Sequence, residues 1–168
     1  MNSAAGSTVG PRWYAPLTHP ITVACFALLL VNDHWLKPEH PGWLSGKLSD
    51  VAFMVLAPLW LFAVWSRLTA WQNRGCSAGS RHRALWACLL LIGLTLVLME
   101  TTAWGDWLYR YGLGALQFPF RAAAGWALHA EWTAFRPVQA TRDLTDLFCL
   151  PFLAVALWIG QKEPRDAT

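Results

Sequence analysis

The sequence predicts an all-α polytopic membrane protein, a four-transmembrane-helix bundle with an interfacial amphipathic segment between helices 3 and 4. Three observations carry that prediction. Of the 168 residues, 55% are hydrophobic and 14% charged, whereas soluble domains carry about 25% charged residues. Twelve tryptophans are present, and Trp concentrates at the two membrane–water interfaces. Apolar runs recur four times along the chain, giving a mean hydropathy of +0.32. Such a composition argues against a soluble enzyme and against a disordered chain.

The elements follow in order. Residues 1–12 are small and polar, and read as a disordered tail. They lack the basic start and small-residue cleavage site of a signal peptide, so the first apolar run is expected to be retained. A single transmembrane domain is expected over residues 13–161, with spans at about 15–36, 48–66, 84–103 and 143–160, and a C-terminal tail at 162–168. Each span has a charge-free core of about 15 residues, too short for a hydrocarbon layer of ~30 Å at 1.5 Å per residue. Flanking polar residues must therefore belong to the helices. Pro58 and Pro151 fall inside the second and fourth spans and are expected to kink them.

Residues 104–141 are mildly apolar but interrupted by Asp106, Arg110, Pro119, Arg121 and Glu131. They read as one or two amphipathic helices at the interface. A fifth crossing there would bury two arginines at roughly 2.5–3.5 kcal/mol each. The loop after the second span carries Arg67, Arg74, Arg81 and Arg83 without an acid. The positive-inside rule makes that loop cytoplasmic, and with four spans both termini join it.

Charge and cysteine add exclusions. A net charge of +3 is too small for a nucleic-acid footprint, and no basic stripe with interleaved aromatics accompanies it. Cys25, Cys88 and Cys149 lie in apolar runs and Cys76 in a basic loop, which is neither a disulfide framework nor a zinc spacing.

Every expected span carries a carboxylate at its outer end: Asp33, Asp50, Glu100 and Asp146. Acids near hydrocarbon tend to face a bundle interior or a water-filled cavity. Asp50 follows Ser49 and Asp146 follows Thr145, as in ordinary helix-start capping. Asp33 and Glu100 are expected at helix C-termini, where the dipole disfavours negative charge, so they require a partner or exposure to water. Lys47 and Arg142 stand three and four residues before Asp50 and Asp146, close enough to share a helix face with them. With His34 and Asp143, these residues make up the candidate polar cluster: Asp33, His34, Lys47, Asp50, Glu100, Arg142, Asp143 and Asp146. His34, His40, Asp50 and Asp146 are the candidate metal ligands, although their spacing matches no established motif. The strings Lys47-Leu48-Ser49-Asp50 and Arg142-Asp143-Leu144-Thr145-Asp146 both read basic, leucine, hydroxyl, aspartate and open proline-containing spans. They suggest two helical hairpins repeated in parallel, as in some transporters.

The strings Asn32-Asp33-His34-Trp35-Leu36-Lys37, Pro41-Gly42-Trp43-Leu44-Ser45-Gly46-Lys47-Leu48-Ser49-Asp50 and Asp143-Leu144-Thr145-Asp146-Leu147 with Pro151 give the chain its likeness to known proteins. In these strings it resembles an uncharacterised family of small multi-pass bacterial membrane proteins. The resemblance implies a bacterial inner-membrane location and singles out the outer-end motifs. It implies no activity, cofactor or catalytic residue.

Three functions compete. The first is a small transporter or ion-coupled permease subunit using the outward-facing carboxylates, with Asp50 and Asp146 as proton or cation sites. The second is a non-catalytic membrane assembly or scaffolding component. The third is a metal-assisted intramembrane enzyme acting on lipid, for which no nucleophile–base pair or phosphate loop speaks. The balance is against an enzyme. The expected partners are the lipid bilayer and a second copy or another membrane protein, with no nucleic acid and no cofactor.

Overall fold

The computed structural model describes residues 13–40, 42–72, 77–127 and 135–162, and every regular element among them is helical. Both tails and the loop cysteine Cys76, with the exception of residues 162 and 13 at their margins, lie outside the described residues. Six α-helices follow in order: α1 (Pro20–Val31), α2 (Lys37–Glu39), α3 (Trp43–Trp71), α4 (Ala78–Thr101), α5 (Ala103–Ala127) and α6 (Leu153–Gln161). A π-helical turn, Asn32–Leu36, joins α1 to α2, and a 3₁₀ helix, Leu144–Phe152, leads into α6. Three stretches are long and apolar enough to cross a membrane: Trp43–Trp71, Ala78–Thr101 and Leu144–Gln161. α1 is 12 residues long.

Helix starts follow the local chemistry. Pro20 occupies the first turn of α1, where its missing N–H costs nothing, and His19 caps the helix by accepting the Ile21 N–H. α3 begins at Trp43, earlier than its charge pattern predicts, because Gly42 takes the N-cap and the Ser45 hydroxyl accepts the Gly42 N–H at 3.1 Å. Lys47 and Asp50 consequently lie within the helix. α3 also runs unbroken across Pro58, which is fully buried. Pro151 instead marks the handover from 3₁₀ to α winding, one residue before Phe152, the N-cap of α6.

The chain divides into two compact units, one formed by residues 1–92 and 151–168 and the other by residues 93–150. In the first, α3 packs against α1 and against α6. Its core is Val55, Leu59 and Phe62 of α3, Leu85 and Leu89 of α4, and Ala156 and Ile159 of α6. Around it, Val23, Phe26, Val31, Trp60, Leu90 and Leu91 are exposed. An aliphatic and aromatic exterior of this kind is unfavourable in water and natural in lipid. Where lipid surrounds helices, expelled water no longer drives their association, and packing and polar ties carry more of it.

The second unit holds the end of α4, α5 and the chain to Leu150. The segment expected as interfacial is mainly one helix, α5, which is 25 residues long. α4 gives way to α5 at Thr102, whose hydroxyl donates to the Leu98 carbonyl at 2.7 Å and accepts the Gly105 N–H at 2.9 Å. Gly105 is required there, because a Cβ would stand 2.1 Å from the Leu98 carbonyl oxygen. Further along, Arg110 and Val138 exchange two hydrogen bonds: Val138 N–H to the Arg110 carbonyl and Arg110 Nε to the Val138 carbonyl. Phe135 meets Tyr111 and Phe118 of α5.

Candidate functional site

Among the described residues a polar knot forms in each unit, and the predicted carboxylates divide between the two units. In the first unit the knot forms where the π-helical turn meets the start of α3. Asn32 is completely buried. Its Nδ2 donates to the Ser45 carbonyl at 2.5 Å and to the Ser49 hydroxyl at 2.6 Å. The Ser49 hydroxyl in turn donates to Asp33 Oδ1 at 2.7 Å. Lys37, one turn along, pairs with the same oxygen at 2.8 Å. A continuous chain of contacts thus runs from a buried amide to a carboxylate whose side chain is 41% exposed.

Local sequence explains this arrangement. The π turn is closed by the Lys37 N–H bonding to the Asn32 carbonyl, five residues back. Helical winding therefore continues past Asp33, which lies inside a helix and not at the C-terminus the sequence predicts. Ser49 is not a cap either, because α3 has already started six residues before it. Its hydroxyl is free for Asn32 and Asp33. Asn32 Oδ1 has no hydrogen-bond partner among the described residues, which is costly for a buried amide oxygen. π-helical turns recur at functional sites, where they supply such irregular backbone.

In the second unit Glu100 is 1% exposed, so exposure to water does not account for it. Its Oε2 accepts the Asp143 N–H at 2.6 Å. Arg142 directs Nε and Nη2 at the Glu100 backbone carbonyl, each at 3.3 Å. A cation on a last-turn carbonyl suits the negative end of α4. Asp143 in turn caps the 3₁₀ helix: its Oδ1 accepts the Thr145 N–H at 2.9 Å and the Thr145 hydroxyl at 2.8 Å. The cap is therefore Asp143, where the sequence suggests Thr145. Asp146 sits half-buried in the first turn, with its N–H bonded to the Asp143 carbonyl.

The remaining candidates are placed as follows. His34 is exposed, with Nδ1 3.0 Å from the Leu30 carbonyl of its own helix. The His40 carbonyl lies 3.2 Å from the Ser45 hydroxyl. Lys47 lies over the Trp43 ring at 6.0 Å, and Asp50 is half-buried in the second turn of α3. Among the described residues, no three His, Cys, Asp or Glu side chains come together in a group able to hold a metal ion. Sequence reasoning omitted Asn32, Ser45 and Ser49 from the cluster. The usable signal was an amide ending an apolar run, with two hydroxyls four residues apart on the next helix.

Comparison with protein-family models, with curated proteins and with solved structures finds no match for this chain.

Proposed function

We propose that this chain is a small transporter or ion-coupled permease subunit of the bacterial inner membrane that uses its outward-facing carboxylates, Asp33 foremost among them. It would cross the bilayer four times. The first crossing would be α1 extended through the π turn, α5 would lie along the interface, and both termini would be cytoplasmic. Four spans leave little room for a pathway, so the working form would be an oligomer of the chain or a complex with another membrane protein.

One observation carries the reading: a fully buried Asn32, in a π-helical turn and with an acceptor oxygen unused among the described residues, is linked through Ser49 to the part-exposed carboxylate of Asp33. Transporters build coupling-ion sites from irregular helical backbone supplemented by oxygen donors. An ionisable side chain in a membrane helix that is tied to buried polar groups marks ion pathways by default. Asp50 and Asp146 each follow a hydroxyl residue of a knot directly, and belong in the same test.

Purified protein in proteoliposomes would be assayed for proton and monovalent-cation flux, alongside Asp33→Asn, Asp50→Asn, Glu100→Gln and Asp146→Asn. The proposal expects flux in the wild type and its loss in at least Asp33→Asn. Wild-type flux indistinguishable from empty vesicles, or unchanged in all four variants, sinks it.

A second reading, a membrane assembly component, has its own support. Glu100 spends one oxygen on a backbone N–H and its carbonyl on Arg142, which is what a structural clasp would do. Crosslinking in native membranes separates the two. A recurrent membrane-protein partner together with absent flux favours assembly.

A further inference from the structure

Away from both knots, the first unit has a small cavity of about 130 Å³ at the start of α4 and the end of α6. Its apolar floor is Phe62 of α3 and Leu85 of α4. Its rim carries Arg81, His82 and Lys162, and among the described residues none that lines it is acidic. The volume is well below the roughly 300–1,000 Å³ of pockets for drug-sized organic ligands.

The cations are held in place by aromatic contacts. The Arg81 guanidinium lies 5.8 Å from the centre of the Phe62 ring, and Lys162 Nζ lies 3.4 Å from the centre of the Trp158 ring. Such contacts orient a cation without neutralising it. His82 Nε2 accepts the Trp86 indole N–H at 2.9 Å, which places the imidazole proton on Nδ1, where it can be donated. A guanidinium-, an ammonium- and an imidazole-bearing residue thus border one small volume. Arginine matches phosphate oxygens in a two-pronged geometry, and lysine binds them as a point charge.

The surroundings of the cavity point the same way. It lies at the ends of two helix stretches long and apolar enough to span a bilayer, Ala78–Thr101 and Leu144–Gln161; helices that span in this way have their ends at the depth of lipid headgroups. Basic pockets between such helices bind acidic headgroups, because the phosphate meets the cations while acyl chains follow the apolar helix faces. Exposed Leu90, Leu91 and Trp158 on α4 and α6 offer such faces.

We propose that this cavity is a phosphate-binding site that takes the phosphodiester of an anionic membrane lipid. It is independent of the transport reading, since none of its residues belongs to either knot.

The experiment is native mass spectrometry of the full chain, released from detergent containing phosphatidylglycerol or phosphatidylcholine. The wild type should retain one phosphatidylglycerol per chain in preference to phosphatidylcholine. Arg81→Gln and Lys162→Gln should each lower that retention about fivefold, the worth of roughly one charge at a membrane surface. Arg121→Gln, a charge change in the second unit, should leave it unchanged. Ala78→Phe narrows the mouth of the cavity without altering charge and should also displace the lipid, which keeps the test valid if a charge variant fails to fold. Inorganic phosphate distinguishes the sources: lipid displaced by millimolar phosphate supports a site that also takes the free anion, and lipid that resists supports a headgroup site. Equal retention of the two lipids, or retention unchanged in Arg81→Gln, Lys162→Gln and Ala78→Phe, overturns the proposal.

Discussion

Glu100 and Asp143, 43 residues apart in sequence, meet through a 2.6 Å hydrogen bond from the Asp143 N–H to the Glu100 carboxylate. Glu100 is buried, and leaving one partner of a buried hydrogen bond unsatisfied costs about 1–3 kcal/mol. The bond also holds Asp143 where its own carboxylate caps the 3₁₀ helix.

Removing that acceptor is therefore expected to destabilise the protein. Glu100→Ala should lower unfolding stability in detergent by about 2 kcal/mol, while Glu100→Gln, which keeps an acceptor oxygen, should lose less. Thermal or denaturant unfolding followed by circular dichroism checks both. Equal stability of wild type and Glu100→Ala would show that the bond contributes nothing.

In the first unit, Asn32 and Ser49 are expected to be energetically coupled. A double-mutant cycle of Asn32→Ala and Ser49→Ala should return an interaction of about 1 kcal/mol, because the second truncation removes a bond already broken by the first. Simple additivity would mean that the contact carries no energy.

Asp33 separates stability from function. Its pair with Lys37 is about half exposed, and pairs of that kind contribute at most about 1 kcal/mol. Asp33→Asn should thus unfold close to wild type yet fail in the flux assay. A variant that is inactive only because it is unfolded would show lost helicity, and that outcome would remove Asp33 from the proposed function.

Two glycines in α5 are expected to respond oppositely to alanine. At Gly105 the new methyl would collide with the Leu98 carbonyl, and backbone cannot yield cheaply, so Gly105→Ala should cost more than about 2 kcal/mol. Gly112 has nothing within 4 Å of an added Cβ. There alanine's better helix propensity should raise stability by up to about 1 kcal/mol. Melting both variants side by side in one detergent provides the comparison.

The sequence displayed the apolar architecture well, because lipid-facing helices announce themselves through composition. The stretches around 48–66 and 84–103 coincide with α3 and α4, yet both helices extend into flanks that looked like loop. In α3 the reason is local: Gly42 and Ser45 make a start that outweighs the polar Lys47 and Asp50. The carboxylates were visible as a set, but their partners were not. Ser49 read as a cap because a hydroxyl before an aspartate usually is one, and nothing in sequence reveals that the helix has already begun. The bond between Glu100 and Asp143 joins residues 43 apart in sequence, a pairing that periodicity does not encode.

The π turn at residues 32–36 has a geometric effect on everything beyond it. Bonding five residues back accommodates one residue more than regular winding does, and each residue of an α-helix accounts for about 100° of rotation. The side-chain rows of α1 and α2 are consequently out of phase by about that angle, so no single stripe runs the length of the two. Deleting one residue within the turn, a change that disrupts most helices, would here restore continuous winding.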